Sequence, residues 1–172
     1  MSWDGKEDVP YIAMDLIEGC TMHELMQQGR LPLPVIKYLY QEMVRIVSRI
    51  HNKGVVHRDL KLDNFLIQEL PDGSLKMTLV DFGFAGPLYG RADGFFPGSE
   101  QMGTHPYAAP EINYGQRYRG SQVDIFALGV ILFQLVFCLD PFKKAVIDDP
   151  LYKPYYSSTG RFQLWDLYLR SL

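Results

Sequence analysis

Cysteine is scarce: Cys20 and Cys138 are the two in 172 residues, far apart and without a C-x-x-C pairing. That excludes a disulfide framework and a zinc knuckle, and it suits a reducing compartment, cytoplasm or nucleus. Positive charge is not in surplus either, since 17 Lys and Arg stand against 20 Asp and Glu for a net charge of −3. No broad cationic face is available for nucleic acid or anionic lipid, so any phosphate chemistry must come from a local site. Long apolar runs are also missing. The longest, Ile125 to Leu139, spans 15 residues, carries Gln134 and is closed by Asp124 and Asp140-Pro141. A membrane helix needs about 20 residues, so a buried core helix is expected and membrane insertion is not. The polar, acidic start, Met1 to Pro10, lacks a basic cluster ahead of an apolar run and does not read as a secretory signal. No G-x-x-x-x-G-K-S/T sequence occurs, and no second histidine follows His23-Glu24, so neither a P-loop nor a zinc helix is encoded.

What is present is ordinary globular composition, 47% hydrophobic and 22% charged. A chain of this length buries roughly 70% of its unfolded surface, enough for one core. Tyr11 to Ile17 is a short apolar run that reads as a buried strand. Thr21 and Glu24 form a capping-box pattern for a short helix through Gln28, stopped by Gly29. From Pro34 to Asn52, apolar residues at Ile36, Leu39, Met43, Val47 and Ile50 recur at intervals of three and four, which predicts an amphipathic helix ended by Asn52-Lys53-Gly54. Asn64–Gln68 and Lys76–Val80, separated by Pro71-Asp72-Gly73-Ser74, read as two strands joined by a turn. The glycine-rich stretch from Asp81 to Gly103 has no regular period and is expected to be a functional loop. A helix over Ser121–Leu139 follows, then a Pro- and Tyr-rich connection, and Phe162–Leu172 reads as part of a last element.

The chemistry is concentrated in His57-Arg58-Asp59-Leu60-Lys61-Leu62-Asp63-Asn64, between the long helix and a strand. Its spacing is that of H-R-D-L-x-x-x-N, and Asp81-Phe82-Gly83 and Ala109-Pro110-Glu111 follow in order. The chain therefore resembles a eukaryotic-type serine/threonine protein kinase, covering it from about Tyr11 to Trp165. The fold implied is α+β: the mainly helical C-terminal lobe of the protein-kinase-like fold, with short β-strands at the catalytic site. On that reading the last small-lobe strand and hinge occupy about 9–20, the catalytic loop 57–64, the activation segment 81–111 and a buried central helix about 121–139, with incomplete helices after it. Asp140-Pro141-Phe142, the DDPLY run at 148–152 and the Phe162/Trp165 pair resemble calcium/calmodulin-dependent-like kinases.

The resemblance implies ATP and Mg2+ as cofactors and a protein Ser or Thr hydroxyl as acceptor. Asp59 would orient or accept the hydroxyl proton, Lys61 would reach the transferring phosphate, and Asn64 and Asp81 would hold magnesium. Thr104 would bond toward Asp59 and Lys61, and the loop from Gly103 to Glu111 with Lys61 is of the serine/threonine type. Met14 would guard the back of the nucleotide pocket, Asp15, Leu16 and Ile17 would form the hinge, and Leu66 would lie under adenine as well as serving as core. His57, Phe82 and Gly83 complete the motif scaffold, and Asp124 would accept backbone N–H groups near His57 and Arg58, because a buried carboxylate requires such partners. Arg58 implies a switch driven by negative charge on the activation segment. Glu100 either pairs with it as a permanent charge, with Ser99 as an optional phosphosite, or is solvated. Asp63 meets a basic substrate residue or is simply exposed; Lys153 stands where basic-directed relatives carry an acid.

Within the 172 residues there is no G-x-G-x-x-G loop and no V-A-I-K lysine, parts that in kinases clamp ATP. The family's later helices supply an arginine for the equivalent of Glu111, and these too are missing. The isolated chain is therefore expected to transfer little or no phosphate. Two functions stay open: a serine/threonine kinase present as a fragment, or a noncatalytic kinase-like binding or regulatory module; either could take a regulatory partner.

Overall fold

The computed structural model describes residues 11–89, 93–100 and 102–156. The acidic start and the expected element at Phe162–Leu172 lie outside them. In order, the described elements are β1 (Cys20–Thr21), α1 (Met22–Gln27), α2 (Leu33–Asn52), β2 (Val55–Val56), a 3-10 turn (Leu62–Asn64), β3 (Phe65–Glu69), β4 (Leu75–Leu79), β5 (Gly86–Pro87), α3 (Pro110–Asn113), α4 (Gly120–Phe137) and α5 (Lys153–Tyr156).

Local chemistry sets the first elements. Thr21 Oγ1 accepts from Glu24 N at 3.0 Å while Glu24 Oε2 accepts from Thr21 N at 2.8 Å, the reciprocal box expected at the start of α1. In α2 the predicted stripe is the one that faces inward: Ile36, Leu39, Met43 and Val47 are buried, and Lys37, Gln41, Arg45 and Arg49 are exposed. Each such buried side chain contributes roughly 1.5–3 kcal/mol. The stripe packs with Met22, Leu60, Phe65, Ile131 and Leu135 into the main core.

Three antiparallel strands, in the order β1-β3-β4, lie beside this core, with Leu66 paired to Thr21 on one side and Thr78 on the other. Strand alternation sends Phe65 and Ile67 inward and turns half-buried Leu66 to the opposite face. A second antiparallel pair, β2-β5, fastens the start of the 81–103 loop back to the end of α2, so the expected irregular loop begins with a short ladder.

Two expectations need correction. Tyr11–Ile17 is not a buried strand: Tyr11, Ile12, Met14 and Leu16 are 89%, 84%, 78% and 85% exposed. No described strand lies beside this segment, and extended backbone forms a strand only when a neighbour completes its hydrogen bonds. The central helix is also not buried all round. Its ends fall at Gly120 and Phe137, where Cys138 takes a left-handed cap conformation (φ 55°). By length and composition this helix could cross a membrane, yet half of it is buried in the core. Ile125 and Leu132 remain on the surface and line an apolar groove of about 570 Å3 with Phe142. A helix apolar on every side stays open wherever the described elements do not cover it.

The connection after α4 is organised by one carboxylate. Asp149 Oδ2 accepts from Lys143 N and Lys144 N at 3.0 and 2.9 Å, and Oδ1 accepts from Leu151 N and Tyr152 N at 2.9 and 3.2 Å. Burial pushes its pKa up, but the four backbone donors outweigh burial and hold it below the ordinary value. A depressed folded pKa contributes stability above the unfolded carboxyl range, about 3.9, which is lost as pH falls through the folded value. Asp149→Asn is thus expected to cost about 1–3 kcal/mol at pH 7, and less, by melting curves, at an acid pH below the unfolded carboxyl range. An equal difference at both pH values would refute the assignment.

Candidate active site

The loop at 57–64 is hung from α4. Asp124, fully buried, accepts from His57 N at 2.9 Å and Arg58 N at 2.8 Å, as expected, and its Oδ2 also meets His51 Nε2 at 2.7 Å. His51 belongs to no motif in the sequence; the fold alone brings it to Asp124. The His57 ring ties the loop to the strand before Asp81. Nε2 lies 3.0 Å from Val80 O, which can only accept, and Nδ1 lies 3.3 Å from Asp59 N, which can only donate. The imidazole is therefore the neutral Nε2–H tautomer. Phe82 packs edge-on against this ring at 5.0 Å.

Arg58 takes φ 67° and Asp81 φ 61°, left-handed values that cost a non-glycine residue energy and cluster at functional sites. The turn at Arg58 sends neighbouring side chains in different directions. Arg58 reaches the 81–103 loop, donating to Phe84 O through Nε at 2.6 Å and to Glu100 Oε2 through Nη1 at 2.8 Å. Asp59, nearly buried, instead receives Lys61 Nζ at Oδ2 and Thr104 Oγ1 at Oδ1, both at 2.9 Å. Lys61 Nζ is also 3.3 Å from Thr104 Oγ1. Three side chains from two segments thus close a triangle of ammonium, carboxylate and hydroxyl.

Asn64 is buried beneath the triangle and donates from Nδ2 to Asp59 O at 2.9 Å, which leaves its side-chain oxygen as an acceptor. Val80 N donates to Asn64 O at 2.9 Å, so the backbone pairing brings Asp81, one residue on, beside Asn64. Asp81 is exposed, with Oδ1 receiving Gly83 N at 3.3 Å. An amide oxygen and a solvent-facing carboxylate are the hard oxygen donors that magnesium takes while keeping water and phosphate in its shell. Among the described residues no cluster of three His, Cys, Asp or Glu competes as a metal site.

Other expected residues are placed less tightly. Met14, Asp15 and Leu16 are exposed and Ile17 half-buried, along an extended strip ahead of β1. Ser99 is exposed, as is Asp63. Glu111 lies half-buried in α3, and among the described residues no ion pair reaches its carboxylate. The apolar groove on α4 is lined by none of the residues 57–64 and lies apart from this cluster.

A loop held from a buried aspartate thus carries Asn64, with Asp81 beside it, next to the Lys61-Asp59-Thr104 triangle. Residues 2–157 match the protein kinase domain family, and the chain belongs to it. Among its relatives, serine/threonine-protein kinase SIK1 of Rattus norvegicus is 37% identical over 76% of this chain and 16% of its own length. Serine/threonine-protein kinase kin-29 of Caenorhabditis briggsae is 36% identical over 77% of this chain and 16% of its own. CBL-interacting serine/threonine-protein kinase 19 of Arabidopsis thaliana is 35% identical over 90% and 31%. The chain thus spans less than a third of the length of these curated relatives.

Proposed function

We propose that this chain is the larger, helical lobe of a serine/threonine protein kinase, with 11–20 as the approach to the nucleotide and 81–111 as the activation segment. The observation that carries this reading is the Asp59-Lys61-Thr104 triangle. Asp59 Oδ1 accepts from the Thr104 hydroxyl at 2.9 Å; that carboxylate would likewise meet the acceptor hydroxyl and take its proton as the new O–P bond forms and the bond from the γ-phosphorus to ADP breaks, with ADP leaving. Lys61 places a positive charge beside that point, where the transferring phosphoryl group spreads negative charge over its oxygens. Asn64 and Asp81 would hold Mg2+, which supplies neutralisation of the ATP phosphates. Leu66, on the open face of the sheet, and the strip Met14–Ile17 would meet adenine. The compartment proposed is the cytoplasm.

Arg58 with Glu100 would order the activation segment. Arg58's side chain is 7% exposed and that of Glu100 29%, so the pair is better shielded than the surface ion pairs worth about 0–1 kcal/mol. The test uses the full-length protein, labelled γ-phosphate ATP and peptides offering Ser, Thr or Tyr. Label is expected on Ser and Thr peptides, and Glu100→Ala should lower the rate about threefold to tenfold, the effect of one charge-assisted hydrogen bond. Label on Tyr alone, or none with Mg2+ present, overturns the function; an unchanged Glu100→Ala rate overturns the pairing role.

A further inference from the structure

Arg58 is held from more sides than an ion pair requires. Its Nη1 donates to Tyr118 Oη at 3.1 Å as well as to Glu100 Oε2, and Tyr118 Oη in turn donates to Glu100 O at 3.1 Å. The guanidinium lies 4.2 Å from the centre of the Phe96 ring, which also stacks on the Tyr118 ring at 5.4 Å. The backbones pair as well: Phe96 N donates to Tyr118 O at 2.8 Å and Tyr118 N to Phe96 O at 3.1 Å. Phe96 and Tyr118 are 5% and 2% exposed, so a solvated loop does not describe them. The slot for Phe96 depends on absent side chains. A Cβ at Gly86 would come within 2.9 Å of the ring, and one at Gly120 within 3.0 Å of it and 2.4 Å of Val56.

We propose that Tyr118, clamped to Phe96, is a positioning residue that locks the Arg58–Glu100 pair and so orders the activation segment without phosphorylation. This deepens the kinase reading above and rests on it. Four kinds of contact converge on Arg58: the carboxylate of Glu100, the phenol of Tyr118, the face of Phe96 and the carbonyl of Phe84. Added phosphate would strengthen one of them, but the other three come from neutral groups already in place. Two stretches 22 residues apart in sequence, at 96 and 118, are thereby joined on either side of the turn that carries Thr104. Burial pushes the Tyr118 phenol above its ordinary pKa, which keeps the hydroxyl protonated and able to donate to Glu100 O.

The test is amide hydrogen exchange on the 172-residue chain, with absence of phosphate checked by mass spectrometry. Phe96 N and Tyr118 N are expected to exchange slowly in the unphosphorylated wild type. Tyr118→Phe keeps the ring but removes the hydroxyl, and should speed exchange across 96–104 about threefold to tenfold, the range of one or two lost hydrogen bonds. Amides of β3 and β4 should not change, which separates positioning from general destabilisation. Tyr118→Phe/Glu100→Ala together should exchange less than the product of the single effects, because both act through Arg58. Fast exchange at Phe96 and Tyr118 in the wild type overturns the proposal, whatever the variants do. So does an unchanged rate in Tyr118→Phe, or protection that appears only after Ser99 is phosphorylated. These outcomes are independent of peptide labelling, so failure of the lock and failure of the kinase assignment are distinguishable.

Discussion

Asp59→Asn in the full-length protein is expected to lower kcat by about 100- to 10,000-fold, the contribution of a positioned proton acceptor, while KM for ATP stays within about twofold. The substitution keeps the shape of the side chain. An amide oxygen can still accept from Thr104 Oγ1, now 2.9 Å from Oδ1, but it cannot take a proton from the acceptor hydroxyl. It also leaves Lys61 Nζ without the carboxylate that sits 2.9 Å away. Asn64 bonds to the backbone carbonyl of Asp59, which the substitution keeps, so the proposed metal donors are left in place. Steady-state rates with a Ser peptide, together with a melting curve of the variant, measure both halves of the expectation. A rate within threefold of wild type would remove Asp59 from the chemistry.

Asp124→Ala should destabilise the fold by about 3–5 kcal/mol, the usual cost of stripping a buried partner from the groups it serves. Three donors converge on that carboxylate: two backbone N–H groups of the catalytic loop and the His51 ring. Alanine leaves the two backbone donors without an acceptor in a region where His57 is fully buried. For a chain of this size the expected fall in Tm is roughly 10 °C, at 2–4 °C per kcal/mol. His51→Ala removes one bond from a half-buried ring and should cost only about 1 kcal/mol. Thermal unfolding of both variants provides the comparison, and a Tm within about 2 °C of wild type for Asp124→Ala would show that the loop is held by something else.

The sequence made some of this readable because the controlling interactions are short-range. The Thr21/Glu24 box, the inward stripe of α2 and the Leu70–Ser74 turn each depend on residues at most a few places apart, and each is present. The order of the three kinase motifs was equally visible, and it led to Asp124 as the acceptor for His57 and Arg58 across 67 and 66 residues. That step came from family resemblance, since no periodicity in this chain links Asp124 to the loop. Where a pattern was ambiguous, the reading failed. Tyr11–Ile17 has the apolar content of a strand, but a strand is a pairing between segments and no described segment pairs with it. The stretch around Asp124 is apolar on all sides, so its composition could not say which face the core would take.

Residue types and spacing were therefore sufficient for the capped start of α1, the inward stripe of α2 and the β3–β4 hairpin, and the motif order led to Asp59, Lys61, Asn64 and Asp81 as candidate site residues. Their mutual geometry, the role of His51, the four-donor hub at Asp149 and the packing of Phe96 and Tyr118 around Arg58 emerge in the folded chain. Hydrogen bonds within a turn are written in neighbouring residues, whereas a bond between residues 58 and 118 exists only after burial has brought them together and removed the water that would otherwise satisfy both.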